Sequence, residues 1–318
     1  MTPALASANN GNWQTARRWA SMLRGAYRVA LTDRWEAGHE ALMIALHARR
    51  SAGSVAAWRA AHPTRPLLLA LTGTDLYRDI AVDAEARRSL EQADMLVVLN
   101  ELGALGLPES LRPRAQLILQ SCPARQASSK TRRLLRALMV GHLRDEKDPR
   151  TWWRAVDRLA PRADMRFDHI GAALDPVLGA EAEALASRRP RFRWLGALPH
   201  AAVRRRIQTA HVLVHASRME GGAHVVIEAI RSGTPVLASR IDGNVGLLGS
   251  DYAGFFEPGD DAALADLLLR VRDDADMLPL LIAQQAPRAP LFAPEAERAA
   301  LHRLVEALLS RTPTGSTP

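Results

Sequence analysis

Short apolar runs alternate with helical stretches along almost the whole of this 318-residue chain, and that alternation calls for parallel, doubly wound sheets. Neighbouring parallel strands cannot be joined by a tight turn, so each needs a crossover, usually a helix. In the first half the runs are Tyr27 to Leu31, Ala41 to Leu46, Pro66 to Leu71, Met95 to Leu99 and Gln116 to Leu119. In the second half they are Ala137 to Val140, Arg166 to Ile170, Phe192 to Leu195, Val212 to His215, Pro235 to Ala238 and Gly254 to Phe256. Two Rossmann-like halves follow, with the polar, turn-like stretch Pro123 to Lys130 between them. The spacing assigns residues 1–125 to the first domain, 126–293 to the second, 294–311 to a C-terminal helix and 312–318 to a disordered tail. That helix has apolar residues at helical spacing, Ala299, Leu301, Leu304, Val305 and Leu308. At the start, Asn9 to Ala20 reads as the turn and helix that follow a first strand. Either that strand is reduced to something like Thr2 to Ala6, or the sequence begins late.

At 47% hydrophobic the chain can bury cores for two domains. No apolar run approaches the roughly 18 residues of a membrane span, and the first residues lack a secretory pattern, so neither a membrane nor export is expected. The one cysteine, Cys122, excludes an internal disulfide and a cysteine metal cluster. It follows a strand-like run and precedes Pro123, which suits buried filler better than a reactive thiol, and a reducing cytoplasm is the simplest compartment. The net charge of +8 is carried almost wholly by arginine, Lys130 and Lys147 being the only lysines among 42 basic residues. The runs Arg204 to Arg206 and Arg132, Arg133, Arg136 lack interleaved aromatics and fall on acid-interrupted sequence. They read as solvated helix faces, with no nucleic-acid partner expected. Positive potential of this kind gathers small anionic substrates.

The stretch Ser217 to Ser239, SRMEGGAHVVIEAIRSGTPVLAS, carries the strongest chemical signal. Gly221 and Gly222 permit close backbone approach, and a helix beginning just after them presents free N–H groups to an anion. The run Val225 to Ile230 continues the helix, Gly233 supplies a left-handed stop, and Thr234 to Ala238 has the look of a buried strand. Glu220 then precedes the helix and Glu228 sits about one and a half turns into it. The pattern resembles the signature of retaining GT-B, family 4-like glycosyltransferases, E-G-F-G-x-x-x-x-E followed by A-x-x-x-G-x-P-V-x-A-S. Glu220, Gly221, Glu228, Ala229, Gly233, Pro235, Val236, Ala238 and Ser239 match it. The resemblance implies two Rossmann-like domains facing across a cleft, with the C-terminal helix returning to the N-terminal domain. It also implies a UDP-sugar as donor, with Glu220 near the sugar, the following amides on sugar hydroxyls and phosphate, and Glu228 on the ribose. Gly222 and Ala223 replace the usual Phe and Gly, which implies a roomier pocket. The competing reading is an ordinary βαβ segment with two solvated carboxylates.

A second element, GHLRDEKDP from Gly141, resembles the family's diphosphate loop G-R-L-x-x-x-K. Gly141, Leu143 and Lys147 match, while His142 replaces the usual Arg and Arg144 is placed to supply the displaced charge. A departing nucleoside diphosphate gains negative charge, so an ammonium there stabilises the transition state. Lys147 is the leading catalytic candidate, the alternative being a loop cap paired with Asp145 or Asp148, and His142 stands as either a neutral donor or a cation. A third loop, LTGTDLYRD, resembles the family's H-G-x-D but has Thr72 where the His would stand, keeping Gly73 and Asp75. Without that general base, an acceptor already anionic at neutral pH is the natural fit.

The stretches PALASANNGNWQTARRW, ALHARRS, TGTDLYRD and SRMEGGAH together resemble one narrow subgroup, the selenosugar synthases of selenoneine biosynthesis, over almost the whole chain. That resemblance implies attack of selenophosphate, through selenium, on C1 of UDP-N-acetylglucosamine or UDP-glucose. It also implies a functional link to a selenophosphate-producing enzyme. Catalytic candidates are Lys147, Glu220 and His142. Donor candidates are Gly11, Asn12, Arg144, Gly221, Gly222, Ala223, His224 and Glu228. Acceptor candidates are Asn10, Arg17, His47, Arg49, Thr72, Thr74 and Asp75. Trp13, Arg18 and Trp19 read as helix packing and surface, and Arg78 and Asp79 as a pair with each other. No classical metal-ligand cluster is visible, so no metal is expected. Two other readings stand beside this one: a conventional UDP-sugar transferase acting on an alcohol, and a sugar-nucleotide-binding protein without turnover.

Overall fold

The computed structural model describes residues 1–3, 5 and 11–310, and within it the chain forms two compact units. The first contains Met1–Ser121, Glu220–Gly222 and the chain from Ala293; the second contains Cys122–Met219 and Ala223–Phe292. Each is built on a parallel sheet, as the α/β reading requires.

In the first unit, β1 (Met43–Leu46), β2 (Leu67–Ala70), β3 (Met95–Val98) and β4 (Ala115–Leu117) lie in that order, all parallel. Helices α2 (Ala52–Ala61), α3 (Ile80–Val82) and α4 (Ala84–Gln92) fall between the strands. Asp83 caps α4 by accepting from the Ala86 N–H. Successive residues of β2 serve opposite faces. Leu67 and Leu69 join Trp58, Leu90 and Leu96 in one core, whereas Leu68 and Ala70 join Val97 and Trp19 in the other.

That second core is closed by α1 (Gly11–Leu23) and by α12 (Pro294–Ser310), which supplies Leu301, Leu304, Val305 and Leu308. Ala299 is exposed, and its neighbour Ala300 packs instead. The helix is pinned at its first turns by the buried Glu297 carboxylate. It accepts from Arg18 Nε (2.8 Å), Trp19 Nε1 (2.7 Å), the Ser121 N–H (2.8 Å) and the Ser121 hydroxyl.

The run Tyr27 to Leu31 is not a strand. Tyr27, Val29 and Leu31 lean on the α1–α12 core, so their alternation comes from lying along an apolar layer and not from sheet pairing. Thr2 to Ala6 falls partly outside the described residues. Met1 lines the free edge of β1, its amine donating to Ile44 O (2.9 Å) and its carbonyl accepting from the Leu46 N–H (3.2 Å).

In the second unit the strands are β5 (Leu135–Val140), β6 (Met165–Ile170), β7 (Phe192–Trp194), β8 (Val212–His215), β9 (Val236–Ser239) and β10 (Phe255–Phe256). All are parallel, in the order β10-β9-β8-β5-β6-β7. The crossovers are α5 (Pro149–Arg158), α6 (Pro176–Arg188), α7 (His200–Thr209), α8 (His224–Ile230) and α9 (Asp242–Leu248), with α10 (Asp261–Asp273) and α11 (Met277–Gln285) after the last strand. Strand order reverses between β5 and β8, the switch point of a doubly wound sheet. Both β8 and β9 are wholly buried, which explains why they read as continuous apolar runs. Gly233 takes φ +64° just after α8, the left-handed stop its position predicts. Pro123 to Lys130 has no regular structure. Cys122 is buried with its sulfur beside the Ile227 carbonyl, and burial raises its thiol pKa, as suits filler. Among the described residues no helix is long and apolar enough to cross a membrane.

Candidate active site

The loop after β5 is held from beneath by His169, a fully buried side chain on β6. Its Nδ1 accepts from Trp153 Nε1 (3.2 Å), which leaves Nε2–H to donate to the Gly141 carbonyl (3.1 Å). Burial lowers the His169 pKa to about 4, keeping the ring neutral. The loop after β6 presses on the same peptide so closely that a Cβ on Gly171 would fall 1.9 Å from Gly141 O. His142 accepts the Ala172 N–H at Nδ1 (3.0 Å), so its proton is on Nε2. Burial first, then Arg144 and Lys147, lowers its pKa. Of the two forms expected for His142, the geometry favours the neutral donor.

Lys147 ends a short 3₁₀ turn over Asp145–Lys147, and its stem runs past Gly141, where an added Cβ would meet Lys147 Cγ and Cδ at 3.5 Å. The next residue, Asp148, adopts φ +44° and opens α5. Its carboxylate accepts from the Thr151 hydroxyl (2.8 Å) and pairs with Arg218 Nε (3.3 Å). Arg144 lies 4.0 Å from Glu146.

The loop after β8 is tied to the loop after β5 by the Arg218 N–H, which donates to Glu146 O (2.9 Å). The two motifs singled out in the sequence therefore leave the two strands that flank the switch point. Ala223 precedes α8 without a side-chain cap, and Glu228 is the fifth residue of that helix. Its carboxylate is 2% exposed and meets His200 Nε2 at 2.6 Å, His224 Nδ1 at 3.3 Å and Arg204 at 3.8 Å. Burial pushes the Glu228 pKa up, but the hydrogen bonds and charges of His200 and His224 outweigh it and hold it at about 2.

His200 and Arg204 come from α7 and were not anticipated. No local motif marks them, because only the packing of α7 on α8 brings them to Glu228. Arg204 also corrects the reading of Arg204 to Arg206 as a solvated face. It is 4% exposed, and it donates to Pro123 O (2.9 Å) as well as facing Glu228.

Glu220, Gly221 and Gly222 group with the first unit. The backbone approach that requires glycine there is to the loop after β2. A Cβ on Gly221 would lie 2.5 Å from Thr72 C, and one on Gly73, at φ +136°, would lie 2.8 Å from Gly221 N. A Cβ on Gly222 would fall 2.9 Å from Leu99 Cβ. Asn100 Nδ2 donates to Gly221 O (2.7 Å) and fixes the segment.

At the carboxyl end of the first sheet, His47, Thr72, Thr74 and Asp75 come together. His47 is buried at φ +74°, its Nε2 3.1 Å from the Thr74 hydroxyl and 3.8 Å from Asp79. Burial, the largest influence, lowers its pKa. Asp75 is fully buried, and its oxygens accept from the backbone N–H groups of Thr72 (2.9 Å), Gly73 (2.8 Å) and Ala48 (3.0 Å). It therefore shapes the loop. Arg49 is exposed and pairs with Asp83 (3.0 Å), and Arg78 pairs with Asp79 (3.0 Å). Gly11 and Asn12 open α1, with Arg17 exposed further along it, while Asn10 lies outside the described residues. Among the described residues no group of three or more His, Cys, Asp or Glu side chains is placed to hold a metal ion.

Residues 124–285, just over half the chain and including both switch-point loops, match the family of glycosyl transferases group 1. The chain belongs to this family. Solved glycosyltransferase structures share its GT-B fold. Anabaena Alr3699/HepE in complex with UDP and glucose superposes with a TM-score of 0.71 at 16% identity, over 84% of this chain and 78% of that one. Sucrose-phosphate synthase from Thermosynechococcus elongatus gives 0.70 at 20% identity, over 85% and 74%. The pneumococcal O-GlcNAc transferase GtfA in complex with UDP and GlcNAc gives 0.69 at 17%, over 84% and 57%. No curated protein sequence matches this group 1 chain.

Proposed function

We propose that the protein transfers a hexose, N-acetylglucosamine or glucose, from a UDP-sugar to selenophosphate. The observation that carries the donor half is the placement of the Gly141–Lys147 loop and the Glu220–Glu228 segment on the two strands beside the switch point, where open α/β sheets bind nucleotides. HepE and GtfA, which share the fold, are described with UDP and a sugar. On this reading Glu228, ionised at neutral pH, accepts from the ribose hydroxyls. Lys147, with Arg144 and the Nε2–H of His142, faces the diphosphate, and Glu220 with the amides of Gly221 to His224 faces the sugar. As the C1–O bond breaks, the departing UDP takes its electron pair, and the Lys147 ammonium stabilises the charge that develops.

The acceptor half rests on the resemblance of Ala45 to Ser51, Thr72 to Asp79 and Ser217 to His224 to selenosugar synthases, together with Thr72 in place of a basic side chain. Selenophosphate needs no deprotonation: a selenium lone pair forms the Se–C1 bond, UDP leaves, and water cleaves the P–Se bond to give phosphate and a 1-selenosugar. His47 and Thr74, with Arg17 and the start of α1, are the proposed acceptor contacts, and Asp75 holds their loop. No step draws on a metal.

The test is incubation with UDP-N-acetylglucosamine or UDP-glucose and selenophosphate, measuring UDP release and selenium-containing sugar by mass spectrometry. Selenophosphate-dependent UDP release with a selenosugar product is the expected result. UDP release that needs an alcohol acceptor would replace this reading by a conventional transferase, which family membership equally accommodates.

A further inference from the structure

Three strands of the second sheet carry charged residues on one face, at the end opposite to the switch-point loops. Arg136 is the second residue of β5, Arg166 of β6 and Arg193 of β7, and Asp168 lies two residues after Arg166. Arg136 and Arg166 are Cα partners across β5 and β6, and Asp168 and Arg193 are partners across β6 and β7. With Arg206, Thr209 and Ala210 from the end of α7, these side chains line a cavity of about 180 Å³. Parallel strands in a doubly wound sheet are normally apolar on both faces.

The charges inside do not balance. Asp168, nearly buried, accepts from both Arg193 Nε and Nη2 at 2.7 Å and has Arg206 at 3.7 Å. One carboxylate thus serves two guanidinium groups. Arg136 and Arg166 have no carboxylate partner among the described residues, and Arg136 Nε is buried without a hydrogen bond. Like charges directly opposite on paired strands repel, and a buried donor left unmade is costly.

We propose that this cavity is a binding site for a small phosphate group carrying at least two negative charges, separate from the nucleotide site. Guanidinium forks match phosphate oxygens two at a time, and a phosphate held by Arg136 and Arg166 satisfies the orphan donor and removes the repulsion. The volume lies below the roughly 300–1,000 Å³ of pockets for drug-sized ligands, so the ligand is inorganic phosphate or diphosphate, or the phosphate of a small metabolite, and not a nucleotide.

The test is calorimetric titration of the full chain at constant ionic strength with inorganic phosphate, diphosphate and glycerol 3-phosphate in turn. It is repeated on Arg136→Gln/Arg166→Gln, on the exposed single variant Arg166→Gln and on Lys147→Ala, which reports on the loop after β5. Diphosphate binding at the cavity is expected to persist in Lys147→Ala, whose loss is confined to diphosphate held by the loop after β5, with affinity at the cavity falling at least tenfold in the double variant and partly in Arg166→Gln. Glycerol 3-phosphate binding as tightly as inorganic phosphate assigns the site to a carried phosphate, and weaker binding assigns it to the inorganic ion; either supports the site. Binding by none of the three at millimolar concentration, or affinity unchanged in both arginine variants, overturns it. Without anions the double variant is expected to melt no lower than the parent, and a lower melting temperature would remove the premise of unrelieved repulsion.

Discussion

His200 Nε2 stands 2.6 Å from Glu228 Oε1, and this contact between α7 and α8 decides how the buried carboxylate behaves. Burial alone would favour the protonated acid. The partners His200 and His224 reverse that and hold the Glu228 pKa at about 2. A folded-state pKa below the ordinary 4.5 contributes stability that is present above pH 4.5 and lost as pH falls towards 2. Glu228→Gln is therefore expected to flatten the fall in denaturation midpoint over that acid range. It should also raise the donor KM at neutral pH, measured by steady-state kinetics. His200→Phe, which removes the bond and keeps the bulk, should raise the same KM with a smaller change in kcat.

His169 has the opposite sign of charge and a different window. Its pKa is lowered from 6.5 to about 4 by burial, so the folded state resists the proton that the unfolded chain accepts. Stability from its neutral ring is complete above pH 6.5 and falls as pH drops from 6.5 to 4, by up to about 3 kcal/mol. His169→Phe should remove this part of the pH dependence in denaturant titrations at a series of pH values. It should also lower turnover if the loop after β5 holds the donor as proposed, because the Gly141 carbonyl that begins this loop loses its Nε2–H donor.

The sequence revealed these elements unevenly, for physical reasons. Strands buried on both faces, such as Leu67 to Ala70, read as apolar runs whatever their partners, and Gly233 announces a helix end locally. Tyr27 to Leu31 alternates like a strand because it lies on a helical layer, which sequence spacing cannot distinguish from a ladder. The Glu220 to Glu228 stretch was legible as a loop leading into a helix because the glycines and the apolar run that specify it are local in sequence. The His200 contact was not legible, since His200 is 28 residues from Glu228 on another helix, and neither was the link of Ser121 to Glu297 across 176 residues.

Glu297 tests that long link. Its buried carboxylate accepts from Arg18, Trp19 and both donors of Ser121. Glu297→Ala strands those donors and leaves a guanidinium without its counter-ion, a loss of about 3–5 kcal/mol. Thermal melting should fall by roughly 10 °C for a chain of this size, and amide exchange should quicken in α12. Glu297→Gln, which keeps an acceptor for Trp19, should cost less.

Lys147 and Glu228 are assigned different parts of the donor, and their variants should separate in kinetics. A charge that matters most as UDP departs lowers kcat when removed, whereas a ribose contact made equally in ground and transition states raises KM. Lys147→Ala is expected to lower kcat by about 10²–10³ with a modest change in donor KM, the range seen for loss of one charge-stabilising donor. Lys147→Arg should recover part of kcat. A planar guanidinium presents the same charge in a different shape from a compact ammonium, so the recovery should be partial. Glu228→Ala should instead raise donor KM with kcat largely retained. Equal falls in kcat for both variants would mean that the two side chains serve one step, and the division of the donor between the loops after β5 and β8 would be wrong.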